Sequence, residues 1–155
     1  MQLKLSKLLI IFFIIGSSIT FVYAADYHYV KEKALILKDG SEADKIEAVQ
    51  ELGRLSSNAN FIIDDLIFSL RNDGSHEVRM EIIRALERIG GQANKTVPAL
   101  IEALGDQNWE IRWSAAGALT SFGKKSAMAV PELVGLLRDS EDYVRNAALS
   151  TLGKM

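Results

Sequence analysis

The sequence has 155 residues, 48% of them hydrophobic and 25% charged, with a net charge of −2, the size and balance of one globular domain. It contains no cysteine, which excludes disulfides, thiolate metal centres, a cysteine nucleophile and a lipid-modified cysteine, so packing alone holds the fold. A slightly acidic chain lacks the basic surface that a phosphate backbone requires, and no nucleic acid is expected as a partner.

The first element is an N-terminal address. Lys4 and Lys7 precede the apolar run LLIIFFII at residues 8–15, and Val22 and Ala24 place small side chains at an A-x-A-like position. These are the three parts of a secretory signal, with cleavage after Ala24. The alternative is an uncleaved N-terminal membrane anchor. Residues 8–23 make only 16 positions, broken by Gly16-Ser17-Ser18, whereas a bilayer span needs about 20. The expected organisation is a signal peptide at 1–24, a short linker at 25–29, and an exported chain, periplasmic or secreted, with no stable membrane span after cleavage. Cleavage removes two lysines and no acid, which takes the net charge from −2 to −4.

The remainder repeats. DGSEADKIEAVQELGRL from Asp39, DGSHEVRMEIIRALERI from Asp73, DQNWEIRWSAAGALTSF from Asp106 and DSEDYVRNAALSTLGKM from Asp139 align without a gap, their aspartates 34, 33 and 33 residues apart. Six residues after each aspartate stands a cation (Lys45, Arg79, Arg112, Arg145), and seven residues later a leucine (Leu52, Leu86, Leu119, Leu152). Ser41, Ser75 and Asn108 occupy one position suited to cap a helix, acids follow in the first turn, and Gly90 and Gly123 stand where the helix should stop. Relative to the cation, positions −1, +3, +6, +7 and +10 are mostly apolar, as in Val78, Ile82, Ala85, Leu86 and Ile89, one face at helical spacing.

Shorter apolar segments alternate with these: VKEKALILKD, IDDLIFSLRND, VPALIEALGD and VPELVGLLRD. The only prolines, Pro98 and Pro131, are 33 residues apart and are expected just inside the start of a helix, where a missing N–H has no partner to lose. Each repeat is thus two helices, too small to bury its apolar face alone, and the four copies must stack. Repeats are expected at about 30–59, 60–93, 94–126 and 127–155. The first, with Asp44-Lys45 where the others have an apolar residue and arginine, is the most polar and reads as a cap facing water.

The pattern D-x-x-x-x-V-R-x-x-A-x-x-A-L-x-x-h-G followed by V-P-x-L, with h apolar, resembles the HEAT repeat, in particular the short subclass named after the phycobilisome lyases. DQNWEIRWSAAGALTSFG with VPELVGLLRD carries it best. The resemblance covers residues 30–155 and implies an all-α fold, an α-solenoid of about four two-helix HEAT-like repeats of period 33–34. It also implies that the second helices line a concave face. One relative implied by the resemblance, deoxyhypusine hydroxylase, holds two irons through His-Glu pairs just after the V-R position. The corresponding pairs here are Ile46-Glu47, Met80-Glu81, Trp113-Ser114 and Asn146-Ala147. None is His-Glu, and His76-Glu77 stands alone, so no metal, cofactor or catalytic residue is expected.

Two kinds of residue remain as candidates. Asp73, Asp106, Asp139, Arg79, Arg112 and Arg145 recur in register and are expected to bridge the turns of neighbouring repeats. Positions +1, +2, +5 and +8 are expected to point outward from the second helices, and among these Trp113, Met80, Arg84, Glu81, Ser114, Asn146 and Ile46 form the candidate partner-binding set. Trp113, beside small Ser114 and Gly117, has the composition of an interface anchor; the alternative is that it fills the groove between adjacent repeats, while Trp109 is expected to cover an inter-repeat junction. Leu149, Leu152 and Met155 either leave an apolar edge suited to a partner, self-association or a small missing segment, or belong to a short last helix that frays. The function expected is a non-catalytic adaptor that binds a protein partner on the concave face. The alternative is an enzyme or enzyme accessory of the lyase or hydroxylase branch.

Overall fold

A computed structural model describes residues 18–55 and 60–155, with side chains from His28 onward. Residues 1–17, which carry most of the expected signal peptide, lie outside the described residues. The described chain is helical, with no strand: α1 (Ser18–Asp39), α2 (Glu42–Arg54), α3 (Ile63–Asn72), α4 (His76–Ile89), α5 (Ala93–Ala103), α6 (Trp109–Thr120), α7 (Val130–Leu136) and α8 (Asp142–Leu152), with a 3-10 helix at Gly123–Ala129 ahead of α7.

The helices start where the sequence supplies caps. The Ser41 hydroxyl accepts the Asp44 N–H at 3.3 Å while Asp44 reaches back to the Ser41 N–H, closing a capping box. Ser75 accepts the Val78 N–H, and Asn108 accepts the Glu110 N–H at 2.7 Å. Gly90 ends α4 at φ 64°, a left-handed backbone that costs a glycine nothing.

Helices α1 and α2, α3 and α4, α5 and α6, and α7 and α8 form hairpins. The second helices stack in the order α2, α4, α6, α8, and the first helices in the order α1, α3, α5, with the 3-10 segment between α5 and α7. The core runs unbroken between the two layers: Val30 and Leu37 of α1, Leu52 of α2, Leu66 of α3, Ile82 and Leu86 of α4, Leu100 of α5, Ile111 and Leu119 of α6 and Leu133 of α7 all belong to it. Each such side chain contributes about 1.5–3 kcal/mol by leaving water. This stacking of hairpins is an all-α solenoid.

Two expectations need correction. The linker at 25–29 is part of α1, because nothing between Ile19 and Asp39 breaks a helix; the buried stripe of α1 begins at Val30. Pro98 is not at a helix start but well inside α5. The five residues before it continue the helix upstream, launched from Gln92 at φ 43° and held by the Thr96 hydroxyl donating to the Gly91 carbonyl at 3.0 Å. In the fourth repeat the equivalent residues wind as the 3-10 helix, and Pro131 does open α7.

Candidate functional site

Along the edge where first helices turn into second helices runs a ladder of charge. Lys45 Nζ donates to Asp73 Oδ2 at 2.8 Å, and Arg79 Nη2 to Asp106 Oδ1 at 3.2 Å. Arg112 makes a fork onto Asp139, Nε to Oδ2 at 2.7 Å and Nη2 to Oδ1 at 2.8 Å. Each aspartate also accepts the backbone N–H two residues on (Ser75, Asn108, Glu141), so one carboxylate both shapes its own turn and receives the preceding repeat's cation. The Arg112 hydrogen bonds, and secondarily the Glu141 N–H, hold Asp139 below the usual carboxylate range, and Arg112 itself is raised. Asp73, Asp106, Asp139, Arg79 and Arg112 thus join neighbouring repeats. Arg145 turns onto Asp142 of its own helix.

The second-helix surface is a different environment. Its +1 column divides: Ile46 and Met80 are half-buried and pack against the core, whereas Trp113 is 41% exposed and Asn146 is exposed. Gly117, one turn after Trp113, is exposed, and a Cβ there would meet open space. The Trp113 indole therefore borders free surface. Trp109 stacks on Tyr143 of the next repeat, ring centroids 5.6 Å apart and 24° from parallel, and covers that junction as expected.

Glu81 overturns its expected place. It is 6% exposed, not outward, and its carboxylate takes Arg84 Nη1 at 3.2 Å and Arg88 Nη1 at 3.6 Å. At about 100° per residue, position +2 turns from the open face toward the preceding second helix, the side on which Ala85 Cα lies 3.2 Å from a Cβ added at Gly53. Gly53, also expected outward, is buried in the same contact. Ser114, at +2 of α6, is half-buried for the same reason, so the open strip is +1 and +5: Met80 and Arg84 on α4, linked by an Arg84 Nη2 to Met80 Sδ contact of 3.7 Å, Trp113 and Gly117 on α6, and Asn146 and Ser150 on α8. Arg88 was missed because the outward positions counted stop at +8 and it stands at +9. Tyr143 was missed although His76 bridges to Glu110 across the previous junction at 3.5 Å, and the same pair of positions in the next repeat is Trp109 and Tyr143.

The lone His76-Glu77 motif has a structural use, with His76 between Glu77 at 3.2 Å and Glu110. Among the described residues no group of three or more histidines, aspartates or glutamates is arranged to hold a metal, and no helix is long and apolar enough to cross a membrane.

The family profile for HEAT repeats matches residues 63–153. The chain belongs to the HEAT-repeat family. No curated protein matches its sequence. Among solved structures, this HEAT-repeat protein is similar to an engineered protein (22% identity, TM-score 0.63, covering 81% of this chain and 61% of that one). It is also similar to a chain of the CpcE–CpcF complex of a Nostoc phycocyanin lyase (19%, TM-score 0.58, covering 81% and 64%). A third likeness is a designed armadillo repeat protein in complex with the peptide (KR)4 (21%, TM-score 0.59, covering 90% and 77%). The chain spans less than two thirds of the first two. At these identities the likeness establishes the fold.

Proposed function

We propose that this HEAT-repeat protein is an exported, non-catalytic scaffold that binds a protein partner on the concave face of its second helices, with Trp113 as the anchor. The observation that carries the reading is the exposure of the Trp113 indole, 41%, on a helix whose large aliphatic side chains, Ile111 and Leu119, are buried completely. Leaving an indole in water is unfavourable, and small neighbours such as Gly117 and Ser114 leave room for a partner to desolvate it. Arg84 and Asn146 border the strip with polar groups able to orient an extended segment. The designed armadillo neighbour is bound to a peptide, which supports a repeat surface of this kind as a peptide or protein platform. Export rests on the Lys4/Lys7, apolar run and Val22-x-Ala24 pattern.

The test is affinity capture from an envelope fraction with wild type and Trp113→Ala side by side. Capture is expected to fall by at least about tenfold, the effect of losing one anchor worth more than about 1.4 kcal/mol, while the melting curve stays unchanged. Equal capture by both proteins sinks the proposal. Stoichiometric iron in the purified protein would overturn the non-catalytic assignment.

A further inference from the structure

The junctions between first helices are not closed alike. Val30, Ile63, Val97 and Val130 hold one position in the four first helices, and in that register Lys38, Arg71 and Gly105 are equivalent, as are Phe68, Glu102 and Gly135. Between α3 and α5 these two positions form a clasp. Arg71 Nε donates to Glu102 Oε2 at 2.6 Å and Arg71 Nη2 to Glu102 Oε1 at 2.8 Å, beside a cleft of about 250 Å³. In the following pair, Gly105 and Gly135, neither position has a side chain. Between α1 and α3 the pair is Lys38 and Phe68, which form no ion pair, and the cleft they line widens to about 670 Å³. That volume can take a small organic molecule.

The lining of the wider cleft leaves one charge over. Leu37 and Ser69 are almost buried at its bottom, and Phe68, 62% exposed, stands at its rim. Each of its three carboxylates is taken: Asp64 by Lys95 Nζ at 2.7 Å, Asp65 by Lys31 Nζ at 3.4 Å and Asp73 by Lys45 Nζ at 2.8 Å. Lys38 lines the same cleft, and among the described residues no carboxylate pairs with it. A molecule lying on the Phe68 ring would take apolar surface out of water. An anionic group on that molecule would give Lys38 the charge-assisted partner that Arg71 finds in Glu102.

We propose that the cleft between α1 and α3 binds a small apolar monoanion, an aromatic or long-chain carboxylate or sulfonate. Its hydrocarbon part covers Phe68 and Leu37, and its anionic group pairs with Lys38. The site belongs to the layer of first helices, apart from the Trp113 strip, and takes a small molecule rather than a protein.

The probe is anilinonaphthalene sulfonate, an apolar monoanion whose fluorescence rises when it leaves water, used beside phenylnaphthylamine, the same ring system without the sulfonate. Both are titrated into the full chain and into Lys38→Arg/Phe68→Glu, which copies the clasp of the next junction. The two proteins share every other apolar surface, the N-terminal segment included, so the difference between their titrations isolates the cleft. For the sulfonate that difference is expected to saturate at one molecule per chain, with affinity at least about tenfold above that of the neutral amine. Lys38→Gln, a substitution at an exposed side chain that leaves Phe68 in place, should remove the tenfold preference and leave the amine's binding unchanged. Trp113→Ala should alter neither titration. Equal binding of the sulfonate to wild type and the clasped variant overturns the proposal, as does a preference for the sulfonate that survives Lys38→Gln or disappears with Trp113→Ala.

Discussion

Replacing Arg112 with alanine removes the strongest rung of the ladder. The fork delivers two charge-assisted hydrogen bonds to Asp139, at 2.7 and 2.8 Å, and two more to the Asp106 and Gln107 carbonyls at 2.9 and 3.1 Å. The Asp139 side chain is only 7% exposed, so the substitution leaves a largely dehydrated carboxylate with the Glu141 N–H, at 3.0 Å, as its remaining partner. Stranding a buried charge in this way costs about 3–5 kcal/mol, and the lower figure applies because the backbone donor stays. At about 3–4 °C per kcal/mol for a domain of this size, the melting midpoint should fall by about 10 °C. Urea unfolding of wild type, Arg112→Ala, Asp139→Ala and the double variant closes a thermodynamic cycle, with an expected coupling of at least about 1.5 kcal/mol. Hydrogen exchange should quicken first in α7 and α8, since each repeat leans only on its neighbour. A loss below about 1 kcal/mol, or a coupling near zero, would refute the reasoning.

Acid should weaken the same junction and, separately, the contact between α1 and α2. Asp139 and Glu51 both have lowered values, Glu51 through its hydrogen bonds from Lys33 and then Tyr29, so their contribution is complete above the unfolded carboxylate values of about 4 and disappears as pH falls through the lower folded ones. Midpoints measured from pH 6 to pH 2 should drop in that lower range, and Asp139→Asn should flatten the drop. The two tryptophans should separate spectroscopically: acrylamide quenches the 41%-exposed Trp113 strongly, and Trp113→Ala leaves the protected, Tyr143-stacked emission of Trp109. Gly117→Ala, with open space at its Cβ, should stabilise α6 by about 0.5–1 kcal/mol. Gly53→Leu, placed 3.2 Å from Ala85 Cα, should destabilise by at least about 2 kcal/mol; equal melting curves for the two glycine variants would contradict the packing between α2 and α4.

The repeat grammar was readable because it is local and periodic. Aspartate, cap and cation fall at fixed offsets, and Ser41, Ser75 and Asn108 all cap the helices their positions announced. Glu81 was misread because a helical wheel divides a helix into one buried and one wet side. A second helix of a stacked array has three buried strips, toward its own partner and toward both neighbours, and position +2 falls in one of them. Pro98 was misplaced because proline tolerates several positions near a helix start, and the launch from Gln92, with the Thr96 hydroxyl on Gly91, lies in backbone geometry with no fixed residue signature. The exposure of Trp113 could not be decided from periodicity, since Ile46 and Met80 share its column and pack inward; Gly117, which puts no side chain one turn beyond the indole, was the available hint.

The rungs are not equal. Lys45 meets Asp73 as a point charge, Arg79 holds Asp106 through one nitrogen, and Arg112 grips Asp139 with a planar fork, so the fastening tightens along the chain. A rod fastened in this way has graded stiffness. Stretched from its two ends, it should part at the Lys45 end while the later hairpins still hold together, and thus yield one hairpin at a time from a fixed side.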